Sequence, residues 1–198
     1  MKKLFYIFSV LVLASCQKET GNGGDDPNAG GQKPKVGTTW VFSYYTYYIN
    51  GGLANSKTIT WKAVAEETLG GEKWLKINET GVDTTVYYLR EKTDGLYQYV
   101  NGSANMLCKE PAAAGQTYTS YNAGGMEDFT VISAGLPLTT SLGELKSNMY
   151  EGRKTGNLID EFWYNPNHWL IRHILYRKYP SGVDYYKYSA RYIQSITY

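Results

Sequence analysis

The chain has 198 residues, a formal net charge of +2, only 2 cysteines, and an aromatic load of 20 Tyr and 5 Trp against 5 Phe. The surplus charge sits in Lys2 and Lys3, and beyond residue 15 basic and acidic residues number 18 each. Balanced charge without a basic cluster excludes a nucleic-acid binder and a polybasic membrane-surface module, and the length suits one ordinary core.

Residues 1–15 begin Met-Lys-Lys and continue through an apolar run to Leu13-Ala14-Ser15, directly before Cys16. A basic start, a run too short to span a bilayer and small residues at its end predict a secretory signal peptide. Leu13-Ala14-Ser15-Cys16 resembles the bacterial lipobox, and that resemblance implies cleavage before Cys16 and acylation of its thiol and new amino group. Several acyl chains on one residue give stable anchoring where a single chain is marginal, so the predicted partner at this end is a membrane, held through lipid on Cys16. Residues 16–35 then hold no large apolar side chain and are rich in Gly, Asn and Asp. They read as a flexible tether with a mean reach of roughly 25 Å. The early Lys18-Glu19 and Asp25-Asp26 resemble a charged surface-export signal of some Gram-negative lipoproteins, which points to the outer membrane and leaves its two faces open.

Residues 36–198 are expected to form a single β domain. Runs of β-formers alternate with short turns rich in Gly, Asn and Asp, the pattern of consecutive hairpins. The first strand is expected over 40–48, ending at Asn50-Gly51-Gly52, residues that tolerate the positive φ of tight hairpin turns. The second, over 58–65, places Ile59, Trp61, Ala63 and Ala65 on one face and Thr58, Thr60 and Lys62 on the other, so the odd face should be buried. Four more strands follow over 73–78, 84–91, 96–100 and 106–109. After a Pro/Ala/Gly stretch at 111–115, six are expected over 117–121, 126–133, 145–152, 158–164, 169–179 and 185–198. The two stretches that could compete as helices, 142–150 and 160–174, are too rich in β-branched and aromatic residues. The expected class is all-β with little helix: a strongly curved antiparallel sheet or partial β-barrel of about 10–12 strands in meander order. A flat sheet of that size would leave long exposed edges.

Gly37-Thr38-Thr39-Trp40-Val41-Phe42, Thr93-Asp94-Gly95-Leu96-Tyr97-Gln98-Tyr99, Gly115-Gln116-Thr117-Tyr118, Leu142-Gly143-Glu144-Leu145-Lys146 and Glu161-Phe162-Trp163-Tyr164 occur in this order. In that order they resemble a broad set of bacterial lipoproteins related in fold to the lipoprotein carrier and acceptor proteins. The resemblance implies a curved antiparallel sheet around an apolar cavity. It breaks after Tyr164, where such proteins continue with a Gly-Val-Gly-like turn and this chain has Asn165-Pro166-Asn167-His168-Trp169.

No catalytic signature is present: the chain lacks Gly-x-Ser-x-Gly, a P-loop and a dinucleotide fingerprint. His168 and His173 are the only histidines; their spacing does not make them converge, so no metal is expected. Cys108 has no partner if Cys16 is lipidated, and reads as a small buried hydrophobe rather than a nucleophile. Glu66-Glu67, Glu127-Asp128 and Asp160-Glu161 are adjacent in sequence, and neighbours on a strand point to opposite faces, a poor basis for paired acid catalysis. Trp40, Tyr44, Tyr88, Tyr97, Trp163 and Trp169 are the candidate ligand-binding residues, as rings that could line a concave face. The expectation is a non-enzymatic, membrane-anchored envelope lipoprotein that needs no cofactor and binds a lipid or other amphiphilic or apolar ligand. A surface module for glycans or proteins and an envelope hydrolase are the alternatives.

Overall fold

The computed structural model describes residues 32–81, 85–122, 125–180 and 184–198. The signal segment, Cys16 and the tether up to residue 31 lie outside the described residues, as does the Val82-Asp83 part of one expected turn.

Twelve strands follow one another without a helix among the described residues. The first six are β1 (Thr39–Tyr47), β2 (Leu53–Leu69), β3 (Glu72–Thr80), β4 (Thr85–Lys92), β5 (Gly95–Val100) and β6 (Ser103–Lys109). The second six are β7 (Thr117–Asn122), β8 (Gly125–Thr140), β9 (Gly143–Lys154), β10 (Asn157–Asn165), β11 (Trp169–Lys178) and β12 (Tyr185–Thr197). Each half is a meander, and β1 pairs with β12 to join them, giving the order β6-β5-β4-β3-β2-β1-β12-β11-β10-β9-β8-β7. The sheet is antiparallel and curls nearly into a barrel, with one seam between β6 and β7. Both stretches that could compete as helices are strands, consistent with their β-branched and aromatic content.

Two strands run well past their expected ends. β2 begins at Leu53 with five residues, 53–57, whose side chains are exposed or nearly so, continuing the hairpin beyond the core. β8 continues through Gly135 and Pro137 to Thr140, with register shifts between Val131 and Leu136. Proline is tolerated there because β7 pairs only with residues 125–130 of β8, which leaves Pro137 on a free edge where no N–H is needed.

The predicted face of β2 is the buried one. Ile59, Trp61 and Ala63 lie in the core, Ala65 is half-buried, and Thr58 and Lys62 are exposed. The same alternation directs Trp40 and Phe42 of β1, Leu75 and Ile77 of β3, Phe129 and Val131 of β8, and Phe162 and Tyr164 of β10 inward. Burying such rings supplies most of the driving force, at about 1.5–3 kcal/mol for each large apolar side chain.

Because the strands alternate in direction, the turns segregate to two poles. The N-terminal pole holds the start of β1 together with the turns after β2, β4, β6, β8 and β10; the remaining hairpins gather at the opposite pole. Toward the N-terminal pole large rings occupy the interior. Trp40 stacks on Trp169 at 6.0 Å and donates from Nε1 to the His168 carbonyl, while Tyr118 stacks on Phe129 at 5.2 Å. Gly95, φ +146°, opens β5 so close to β6 that a Cβ would fall 2.1 Å from the Cys108 carbonyl oxygen, so only glycine fits.

Candidate functional site

Toward the opposite pole the barrel is not filled. A cavity of about 410 Å³ lies between the β4–β6 side of the wall and the β10–β12 side. Leu96, Leu107 and Leu170 lie on its deeper side, and Trp61, Tyr87, Leu89, Val100, Phe162 and Leu175 line its walls. A volume in the few-hundred-Å³ range, mostly apolar with a few convergent polar groups, is the usual form of a small-molecule site.

Those polar groups belong to two acid–base pairs. Arg191 of β12 donates from Nη1 to Glu79 Oε2 of β3 at 2.9 Å, and the Trp61 Nε1–H donates to the same oxygen at 2.5 Å. The guanidinium also lies over the Trp61 ring, 5.2 Å from its centre. Burial raises the Tyr87 hydroxyl pKa, and that hydroxyl donates to Glu79 Oε2 at 3.4 Å. Beside this pair, His173 of β11 meets Asp160 of β10, Nε2 to Oδ1, at 2.5 Å, with its ring stacked 4.4 Å from Phe162. His173 and Arg191 are direct cross-strand neighbours. Burial, reinforced by the Arg191 charge, pushes the His173 imidazole below its ordinary pKa, and the Glu79 and Glu161 carboxylates oppose that shift. Burial prevails, and the ring is neutral at neutral pH.

Strand alternation explains which acids reach the cavity. Asp160 faces inward and is 1% exposed, whereas Glu161 faces out, accepting from Trp163 Nε1 at 2.8 Å and pairing with Arg172 at 3.6 Å. Glu66 and Glu67 are surface acids paired with Lys73 and Lys76. Glu127 is buried against Gly152 and Phe129, while Asp128 accepts from Thr119 at 2.9 Å. Glu79 and Arg191 were not singled out from sequence. The available signal was the alternation Leu75, Ile77, Glu79, which puts a charge in phase with an apolar face.

None of the six aromatic residues expected to bind ligand lines this cavity. Trp40 and Trp169 belong to the packed N-terminal half, and Trp169 holds φ +64° after the Asn165 turn. Tyr44 faces inward but packs against the core beside Lys57. Tyr88, Tyr97 and Trp163 face outward: Tyr88 donates to Glu67 at 3.0 Å, Tyr97 donates to Asp94 at 2.7 Å under Lys92, and Trp163 is covered by Arg172. Burial pushes the Tyr97 hydroxyl pKa up to about 12.

Cys108 is fully buried, and burial raises its thiol pKa well above the ordinary value, so it behaves as a small hydrophobe. His168 sits in the β10–β11 turn against the Tyr198 hydroxyl, away from His173. Among the described residues no three His, Cys, Asp or Glu side chains gather as a metal set, and no helix is long and apolar enough to cross a membrane. The outer face of the barrel carries ion pairs such as Glu67–Lys76, Glu72–Lys92 and Glu151–Arg153.

No family model matches the chain, and no curated protein matches it. Among solved structures, it is similar to a chain from Parabacteroides distasonis ATCC 8503 described as a "putative lipoprotein". The two are 15% identical, with a TM-score of 0.38 over 84% of this chain and 97% of that one. At that distance the functional reading rests on this chain's own residues.

Proposed function

We propose that this protein is an envelope lipoprotein of the outer membrane, tethered through acylated Cys16, whose barrel binds an amphiphilic or apolar small molecule in the cavity between β4–β6 and β10–β12. The observation that carries the reading is the cavity itself: an apolar space of about 410 Å³ beside a packed core, with its charged groups already paired on one wall. Protein interiors ordinarily close such voids, since each leaves its lining without van der Waals partners. A glycan platform would call for open aromatic faces. The outward Trp163 and Tyr97 rings are instead covered by Arg172 and Lys92.

Native mass spectrometry of the full chain, extracted gently from membranes, tests the cavity reading. The expected result is a retained small-molecule mass that disappears in Leu175→Trp, which fills the cavity wall. Absence of any retained mass, together with no uptake from a panel of alkyl probes, overturns it.

A further inference from the structure

We infer that the cavity selects a neutral amphiphile of about a dozen non-hydrogen atoms, an apolar body bearing one uncharged hydrogen-bonding group, over ions of the same shape. The inference rests on the cavity reading and adds the class of ligand. Size sets the first limit. At roughly 30 Å³ for each water-sized group, 410 Å³ holds about 14 such groups, one medium alkyl chain rather than a two-chain lipid.

Charge sets the second limit. The wall's fixed cation, Arg191, is held by Glu79, which also receives the Trp61 N–H. Its neighbour His173 is held by Asp160 and faces Arg191 across the ladder, with Glu79 and Tyr87 beyond; Glu161 lies on the outer side of the same strands. An anionic head would lose its water beside the Asp160 carboxylate, with Glu79 close behind and the guanidinium Nη1 already given to Glu79. A cationic head would have to displace the Arg191 guanidinium from Glu79 or the His173 ring from Asp160. Each exchanges its hydration for a wall whose charged groups already hold hydrogen-bond partners.

A neutral head meets neither penalty. The Gln98 amide lines the cavity from β5, and neither it nor Nδ1 of His173 makes a hydrogen bond among the described residues. A hydroxyl or carbonyl reaching these groups gives them a partner within the cavity, and discrimination of this kind exceeds what methylene contacts alone provide.

Three probes with one tail separate the cases: 1-decanol, decanoate and decylammonium, titrated calorimetrically at pH 7.5 into the full-length chain carrying Cys16→Ala. Decanol is expected to bind at least tenfold tighter than either ion. Gln98→Leu should narrow that margin several-fold while leaving the fold intact by near-ultraviolet circular dichroism. Leu175→Trp should abolish binding of all three. Equal or tighter binding of decanoate or decylammonium overturns the inference while leaving the cavity reading in place, provided Leu175→Trp abolishes that binding too. No binding by any probe, or binding that survives Leu175→Trp, overturns both.

Discussion

His173 is one of two histidines in the chain, and its position on β11 decides its chemistry. Alternation turns it inward, where Phe162 stacks on it, Asp160 holds Nε2, and burial with Arg191 depresses its pKa. The folded state therefore resists protonating a ring that the unfolded chain protonates near pH 6.5. As pH falls below 6.5 the unfolded state gains a proton first, so stability falls by up to about 1.4 kcal/mol per pH unit. Urea unfolding between pH 7.5 and 5 is expected to show this loss, and His173→Gln should flatten it. His168, whose pKa burial also lowers, serves as the comparison; if His168→Gln flattens the slope and His173→Gln does not, the assignment is wrong. Sequence spacing correctly separated the two histidines, but it carried no sign that His173 would meet Asp160, because those residues come together only through the β10–β11 register.

At the scale of elements, the seam between β6 and β7 is where the barrel lacks a backbone ladder, and side chains bridge it instead. Tyr118 of β7 donates to the Leu107 carbonyl at 2.5 Å, Tyr150 of β9 donates to the Lys109 carbonyl at 2.6 Å, and Asn148 donates to Glu110 at 2.6 Å. All three lie toward the N-terminal pole. Burial raises both tyrosine pKa values, so these hydroxyls remain donors at neutral pH. Tyr118→Phe and Tyr150→Phe are each expected to cost about 1–3 kcal/mol, because each leaves a main-chain carbonyl without its donor. Hydrogen exchange should quicken in β6 and β7 and remain unchanged in β1 and β12; uniform quickening would mean that the bridges do not act locally. Most strand limits were legible from Gly, Asn and Asp turns. The extra lengths of β2 and β8 were not, since exposed residues such as Asn55 and Ser56, or Gly135 and Pro137, read locally as loop. They are held in strands by the neighbours they pair with.

For the whole molecule, the meander fixes a polarity. The chain reaches β1 at the packed pole, where Lys33 pairs with Glu91 near the end of β4, and the cavity lies toward the other pole. A tether from Cys16 would thus meet the domain at its solid end. Cys16→Ala is expected to move the protein from the membrane fraction to the soluble fraction with the barrel's circular dichroism unchanged. Continued membrane association would show that something other than acylation at Cys16 holds it.

The sequence alone determined the all-β class, the approximate number and order of strands, the inward face of β2, and the burial of Cys108. These follow from local rules, alternation with period two and turn residues that accept positive φ, which act over a few neighbouring positions. Only the tertiary structure decided where the interior would be packed and where it would be open. The aromatic residues expected at a binding face divide between the core and the outer surface, while the polar pairs on the cavity wall unite β3 with β12 and β10 with β11. Glu79 and Arg191 are 112 positions apart. Closing the sheet makes them partners, and no pattern confined to one strand could announce that contact.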